Sequence, residues 1–131
     1  MKTDEQVFGE LAEAARGLLY MSEADHPFEP LRLDGEPDAA RLRELAGAGA
    51  DAPVTTQSLE EFFRAAASEP TWKGAEELAT ARRFQALVRA LEENLSEIKV
   101  YKVGRINLPV YVLGRSPQGN WLGLSTRVVE T

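Results

Sequence analysis

The chain carries one histidine, and His26 stands between Asp25 and Pro27. With Glu23 it belongs to the stretch SEADH, whose carboxylates and imidazole are all competent ligands for a divalent metal. The spacing matches no metal-binding loop, and neighbouring side chains in such a stretch can point apart. Clusters of this kind are usually solvated, so SEADH reads as a polar loop. The same histidine could serve a Ser-His-Asp triad, yet no nucleophile-elbow pattern presents a serine to it. GAGADA, from Gly47 to Ala52, lacks the third glycine of a dinucleotide fingerprint and the Gly-Lys-Ser ending of a phosphate loop. Glu76/Glu77 and Glu92/Glu93 are sequence neighbours and read as a wet helix face. No catalytic constellation assembles. The expectation is a protein that is not an enzyme and needs no cofactor of its own.

Composition narrows the classes further. A chain of 131 residues is expected to form one domain over residues 1–131. A net charge of −6 argues against nonspecific binding to nucleic acid or to anionic membranes. It suits a cationic partner, or simply solubility. With no cysteine there is no disulfide, thiol nucleophile or thiolate-zinc site. The first residues carry acids where a signal peptide needs an unbroken apolar core. No run approaches the roughly 18 apolar residues of a membrane helix. The expectation is a cytoplasmic protein, monomeric when free.

The positioning elements follow from periodicity. Thr3 with Gln6 reads as a capping box, followed by Val7, Leu11, Ala14, Ala15 and Leu18 at helical spacing. Pro27 and Pro30 exclude a regular helix from the next segment, where a short extended piece fits Phe28 to Leu33, turned by Asp34-Gly35. DAARLRELA predicts a short helix over 38–46, GAGADAP a loop, and PVTTQ a strand. Ser58 with Glu61 opens a helix through LEEFFRAAA, and a long helix is predicted from about Ala75 to Leu95 on Phe84, Leu87, Val88, Leu91 and Leu95. The period then changes to two in IKVYKVG, LPVYVLGR and NWLGLSTRVVE, which predicts an antiparallel meander turned at SPQGN. Helices over a meander make an α+β layered domain.

Three features remain odd for a purely structural chain. Trp72 falls in a break between helices, beside Thr71 and Lys73, where loops are usually polar. Taken alone, such an indole packs under its loop more often than it anchors a partner. Glu23 follows LLYMS, where it could cap backbone or stand idle. Thr131 follows Glu130 directly after an alternating, β-branched segment.

GLLYMSEADHPFE and VYVLGRSPQGNWLGLSTRVVET together resemble the nuclease A inhibitor family, and the likeness extends over essentially the whole chain, most weakly over residues 34 to 56. The resemblance implies a single-domain, three-layer α/β/α sandwich around a mainly antiparallel sheet with a C-terminal β-meander. It implies an inhibitor of a sugar-nonspecific, Mg-dependent DNA/RNA endonuclease of the ββα-metal type. In that family the C-terminal threonine reaches the nuclease's catalytic metal, an acid of the MSE loop meets nuclease arginines, and a loop tryptophan packs at the interface. Carried over, these are Thr131, Glu23 and Trp72, with Thr71 and Glu130 beside them. Thr71 and Lys73 depart from the more acidic loop of the family. The alternative is a non-enzymatic interaction module that keeps the fold without a nuclease target.

Overall fold

The computed structural model describes residues 2–22, 24–69 and 74–130. Four helices are formed by Asp4–Ala15 (α1), Ala39–Ala46 (α2), Leu59–Phe63 (α3) and Ala75–Asn94 (α4). Seven strands are formed by Leu19–Met21 (β1), Asp25–Pro27 (β2), Glu29–Leu33 (β3), Val54–Gln57 (β4), Ser96–Val103 (β5), Asn107–Arg115 (β6) and Trp121–Val129 (β7).

Local chemistry sets the helix ends. The Thr3 hydroxyl accepts the Gln6 N–H while the Gln6 side chain accepts the Thr3 N–H, so the capping box at α1 is complete. Past the end of α1, Gly17 takes a left-handed φ of +75°, which a residue with a Cβ adopts reluctantly. The side chains of Asp38 and Ser58 cap α2 and α3 by accepting the Arg41 and Glu61 N–H. The long helix α4 ends at Asn94, with Leu95 as its extended cap.

Two expectations need correction. The helix expected through Ala67 stops at Phe63. The Tyr20 hydroxyl donates to the Phe62 carbonyl at 2.8 Å, occupying an acceptor that another helical turn would use. The polar stretch after Tyr20 is also more ordered than a loop: β1 and β2 pair antiparallel, with Leu19 opposite Pro27 and Met21 opposite Asp25.

The main sheet has the order β3-β7-β6-β5-β4, every pair antiparallel. The strands β5, β6 and β7 form the expected meander, and the shorter strands β3 and β4 close its edges. Alternation divides the side chains between two cores. Val100, Val110, Val112, Leu122, Leu124 and Val128 face a cluster with residues of α1, α3 and α4, including Leu11, Phe62, Phe63, Phe84 and Leu91. Tyr101, Val103, Tyr111 and Leu113 face a second cluster with Leu33 and Leu42, the latter from α2. Cross-strand register matches like with like: Val100 lies opposite Val112, and Tyr101 opposite Tyr111. Among the described residues, no helix is long and apolar enough to cross a membrane.

A buried carboxylate fastens α1 to the β6–β7 turn. Asp4 is only 8% exposed, and it accepts from the Ser116 hydroxyl and the Asn120 amide. The Asp4 N–H donates to Gln118 Oε1 at 2.7 Å, so a first-turn residue holds three positions of that turn. The Ser116 hydrogen bond holds the Asp4 carboxyl below its ordinary pKa against the opposing effect of burial, helped by Asn120 and the charge of Arg32. The sign follows from linkage. A depressed carboxyl pKa adds stability that is fully present above the unfolded value, about 3.9 for aspartate, and is lost as pH falls through the folded value. Asp4→Asn is therefore expected to flatten the fall of melting temperature below about pH 4. Thermal melts of both proteins across that range check it; parallel curves would contradict it.

Candidate functional site

Of the five residues singled out from sequence, Glu23, Thr71, Trp72 and Thr131 lie outside the described residues. Described residues stand beside each of these stretches in the chain. Ser22 and Ala24 flank Glu23, and Glu130 precedes Thr131. Gly74 follows the Thr71–Trp72–Lys73 stretch.

The junction between the first two of these regions is a direct hydrogen bond. Strand β3 accompanies β7 only as far as the pairing of Glu29 with Ser125. Beyond Ser125, β7 keeps β6 on one side, and its outward-facing backbone groups need other partners. The β1–β2 hairpin supplies a partner for the Val129 N–H and also accepts from a β7 side chain. Thr126 Oγ1 donates to the Pro27 carbonyl at 2.9 Å, and the Val129 N–H donates to Ser22 Oγ at 3.0 Å. On the opposite side the Glu130 N–H donates to the Ile106 carbonyl at 2.9 Å, continuing the pairing with β6 past the strand's end.

Glu130 is described, and it is already engaged within the chain. Its carboxylate accepts from Lys102 Nζ at 2.7 Å, a pair in which the lysine is largely covered and the acid half exposed. Lys102 also lies 5.8 Å from the centroid of Phe62. Phe62 in turn stacks on Tyr20, with centroids 4.2 Å apart and rings nearly parallel. Burial raises the Tyr20 phenol above its ordinary pKa, and the Glu130 charge pushes in the same direction. The sequence placed Glu130 beside the carried-over contacts; the fold uses it first as the partner of Lys102.

The third region joins through an apolar cleft. Leu19, Tyr20 and Met21 from β1 line it with Ala65, Ala66 and Phe84, and Gly74 sits at its margin with Glu76 and Glu77. Met21 is 72% exposed and Leu19 44%, so β1 presents apolar side chains outward beside the Ser22–Val129 junction. The cleft therefore runs from the residue before Ser22 to the residue after Lys73.

Asp25 and His26 are successive residues of β2 and so face opposite ways. Among the described residues, no group of three His, Cys, Asp or Glu side chains could hold a metal ion. What sequence reasoning missed is Ser22, Lys102 and Tyr20, which tie the loop and strand ends together. Their partners lie far away in the chain, and no local pattern marks them.

Fold and junction together define an α+β scaffold built on an antiparallel sheet, with one hairpin turn held against a strand end. The profile of nuclease A inhibitor-like proteins matches residues 5–131, and the chain belongs to that family. Members of this family are inhibitor proteins and not enzymes, which makes a nuclease the expected kind of protein partner. No curated protein matches the sequence.

Proposed function

We propose that this chain inhibits a sugar-nonspecific, Mg-dependent DNA/RNA endonuclease of the ββα-metal type by occupying its active site. Thr131 approaches the nuclease's catalytic metal, Glu23 pairs with active-site arginines, and Trp72, with Thr71 and Glu130 around it, closes the interface against water. The observation that supports this reading best is the 3.0 Å hydrogen bond from Val129 to Ser22. It ties the side chain of Ser22, the residue before Glu23, to the strand that leads to Thr131.

The chemistry suits the parts. Magnesium surrenders water reluctantly and keeps several waters in most protein sites. One neutral threonine hydroxyl replaces a single water, or binds through one, without demanding a full cage of ligands. A carboxylate matches the planar fork of arginine as a phosphate oxygen does. An indole at such an interface excludes water and strengthens the polar contacts it surrounds. The net charge of −6 accelerates encounter with a cationic cleft and disfavours direct binding of nucleic acid.

The same reading places the protein in the cytoplasm as a monomer, with its helices layered on both faces of the sheet as an α/β/α sandwich. The two hydrophobic clusters on alternate faces of β5 and β6 support that layering.

The test is an inhibition assay in magnesium against a ββα-metal endonuclease from the same cell. Stoichiometric inhibition is expected, and removal of Thr131 should weaken it about tenfold or more, the worth of one polar contact at a desolvated centre. Undiminished inhibition by the shortened chain would end the metal-directed part of the reading. Recovery from that cell of partners that are all unrelated to nucleases would favour the interaction-module alternative.

A further inference from the structure

We infer that Ser22 is a positioning residue of the inhibitory surface, acting as a clamp that sets the MSE-loop turn in register with the end of β7. The inference rests on the inhibitor reading above and deepens it.

The hydroxyl of Ser22 works in two directions. It donates to the Ala24 carbonyl at 2.8 Å, and the Ser22 N–H reaches the same carbonyl at 3.3 Å. Those two bonds draw Ser22 and Ala24 together across a single intervening position, that of Glu23. As an acceptor, the same oxygen takes the Val129 N–H at 3.0 Å, across 107 positions of sequence. A side chain lacking either the donor or the acceptor function would hold only one half of this arrangement.

The location gives the bond its leverage. At Val129 the outward edge of β7 has lost β3, whose pairing ends at Ser125. The neighbouring attachments act on other groups: Thr126 binds the Pro27 carbonyl, and Glu130 binds Ile106 through backbone and Lys102 through its side chain. Ser22 alone, among the described contacts, joins the turn itself to the strand end. Because the junction is exposed, loss of the hydroxyl leaves the Val129 N–H to water and costs little global stability. What it removes is the tie between Ser22 and Val129, so ordering of the turn against the strand end must then be supplied on binding.

The experiment uses the full chain as wild type, Ser22→Ala and Ser22→Thr, each alone and with Thr131→Ala, against a Mg-loaded ββα-metal nuclease. Two quantities are read: the inhibition constant, and the amide exchange rate of Val129 in the free protein. Ser22→Ala should speed Val129 exchange and raise the inhibition constant about tenfold, as the loss of one ordering hydrogen bond would. Ser22→Thr keeps the hydroxyl and should restore both. In the Thr131→Ala background the Ser22→Ala effect should shrink to less than about twofold, because coupled residues are not additive. Wild-type inhibition matched by Ser22→Ala overturns the clamp alone. An undiminished Ser22→Ala effect in the Thr131→Ala background also overturns it, since Ser22 would then act locally. A wild-type chain that leaves every such nuclease fully active overturns the inhibitor reading and the clamp with it.

Discussion

Gly123→Ala is expected to destabilise the protein by about 3 kcal/mol or more, a large share of the roughly 5–15 kcal/mol that holds a typical domain together. Gly123 sits in β7 opposite Leu113 of β6 and Leu31 of β3, at the middle of the sheet. A methyl group placed there would lie 1.7 Å from the Val112 carbonyl oxygen and 3.1 Å from the Leu113 Cα. Both obstacles are backbone, so no rotamer change relieves them. The strands must separate or shift, and either movement disturbs the ladder between β7 and β6. Urea unfolding of the two proteins measures the effect. A loss below about 1 kcal/mol would mean that the sheet accommodates the methyl by a small local adjustment. Gly114 is the natural comparison. Its methyl would meet Ile98 Cγ1 at 2.8 Å and Leu95 Cβ and Ser96 O at 2.9 Å, tight contacts but none as short as the 1.7 Å at Gly123.

The second large effect concerns binding. Glu23→Ala is expected to weaken nuclease inhibition by roughly 2–5 kcal/mol, from about thirtyfold to several thousandfold, if its carboxylate meets a desolvated arginine. Most of this loss comes from the arginine, which is left buried without a partner. It should therefore emerge in the dissociation rate, with association changed far less. Glu23→Gln separates charge from shape: the amide keeps the size and one acceptor but gives up the ion pair. Its loss should lie close to that of alanine if charge dominates. Stopped-flow association and competition-based dissociation provide the two rates. A dissociation rate unchanged in Glu23→Ala would assign the carboxylate to solvent.

The two classes of inference had different sources in the sequence. Helix α1 could be read because its cap is written in Thr3 and Gln6, three residues apart, and its buried stripe repeats within one element. The meander could be read for the same reason, since alternation in β5, β6 and β7 is local. The β1–β2 hairpin could not. Its strands are three residues long, one ends in proline, and nothing within them marks which residues pair. The end of α3 was hidden because Tyr20, 42 positions away, takes the Phe62 carbonyl. Glu130 looked like any exposed acid until register brought Lys102 beside it. The roles of Glu23, Thr71, Trp72 and Thr131 came from family resemblance, since no spacing rule singles out a threonine or a lone indole for binding. The family match over residues 5–131 supports a nuclease-inhibitor role in general.

The position of β7 between β3 and β6 has a consequence for how the protein is made. A ribosome emits β3 about ninety residues before its neighbour, since Glu29 and Ser125 stand 96 positions apart. Until that neighbour emerges, β3 has no ladder and the hairpin turn has no strand end to rest on. Prematurely terminated products that stop before Trp121 thus lack the strand that joins β3 to β6, together with the Thr131 end of the proposed contact surface. Partial synthesis yields debris for proteases rather than a weak inhibitor that competes with the finished one.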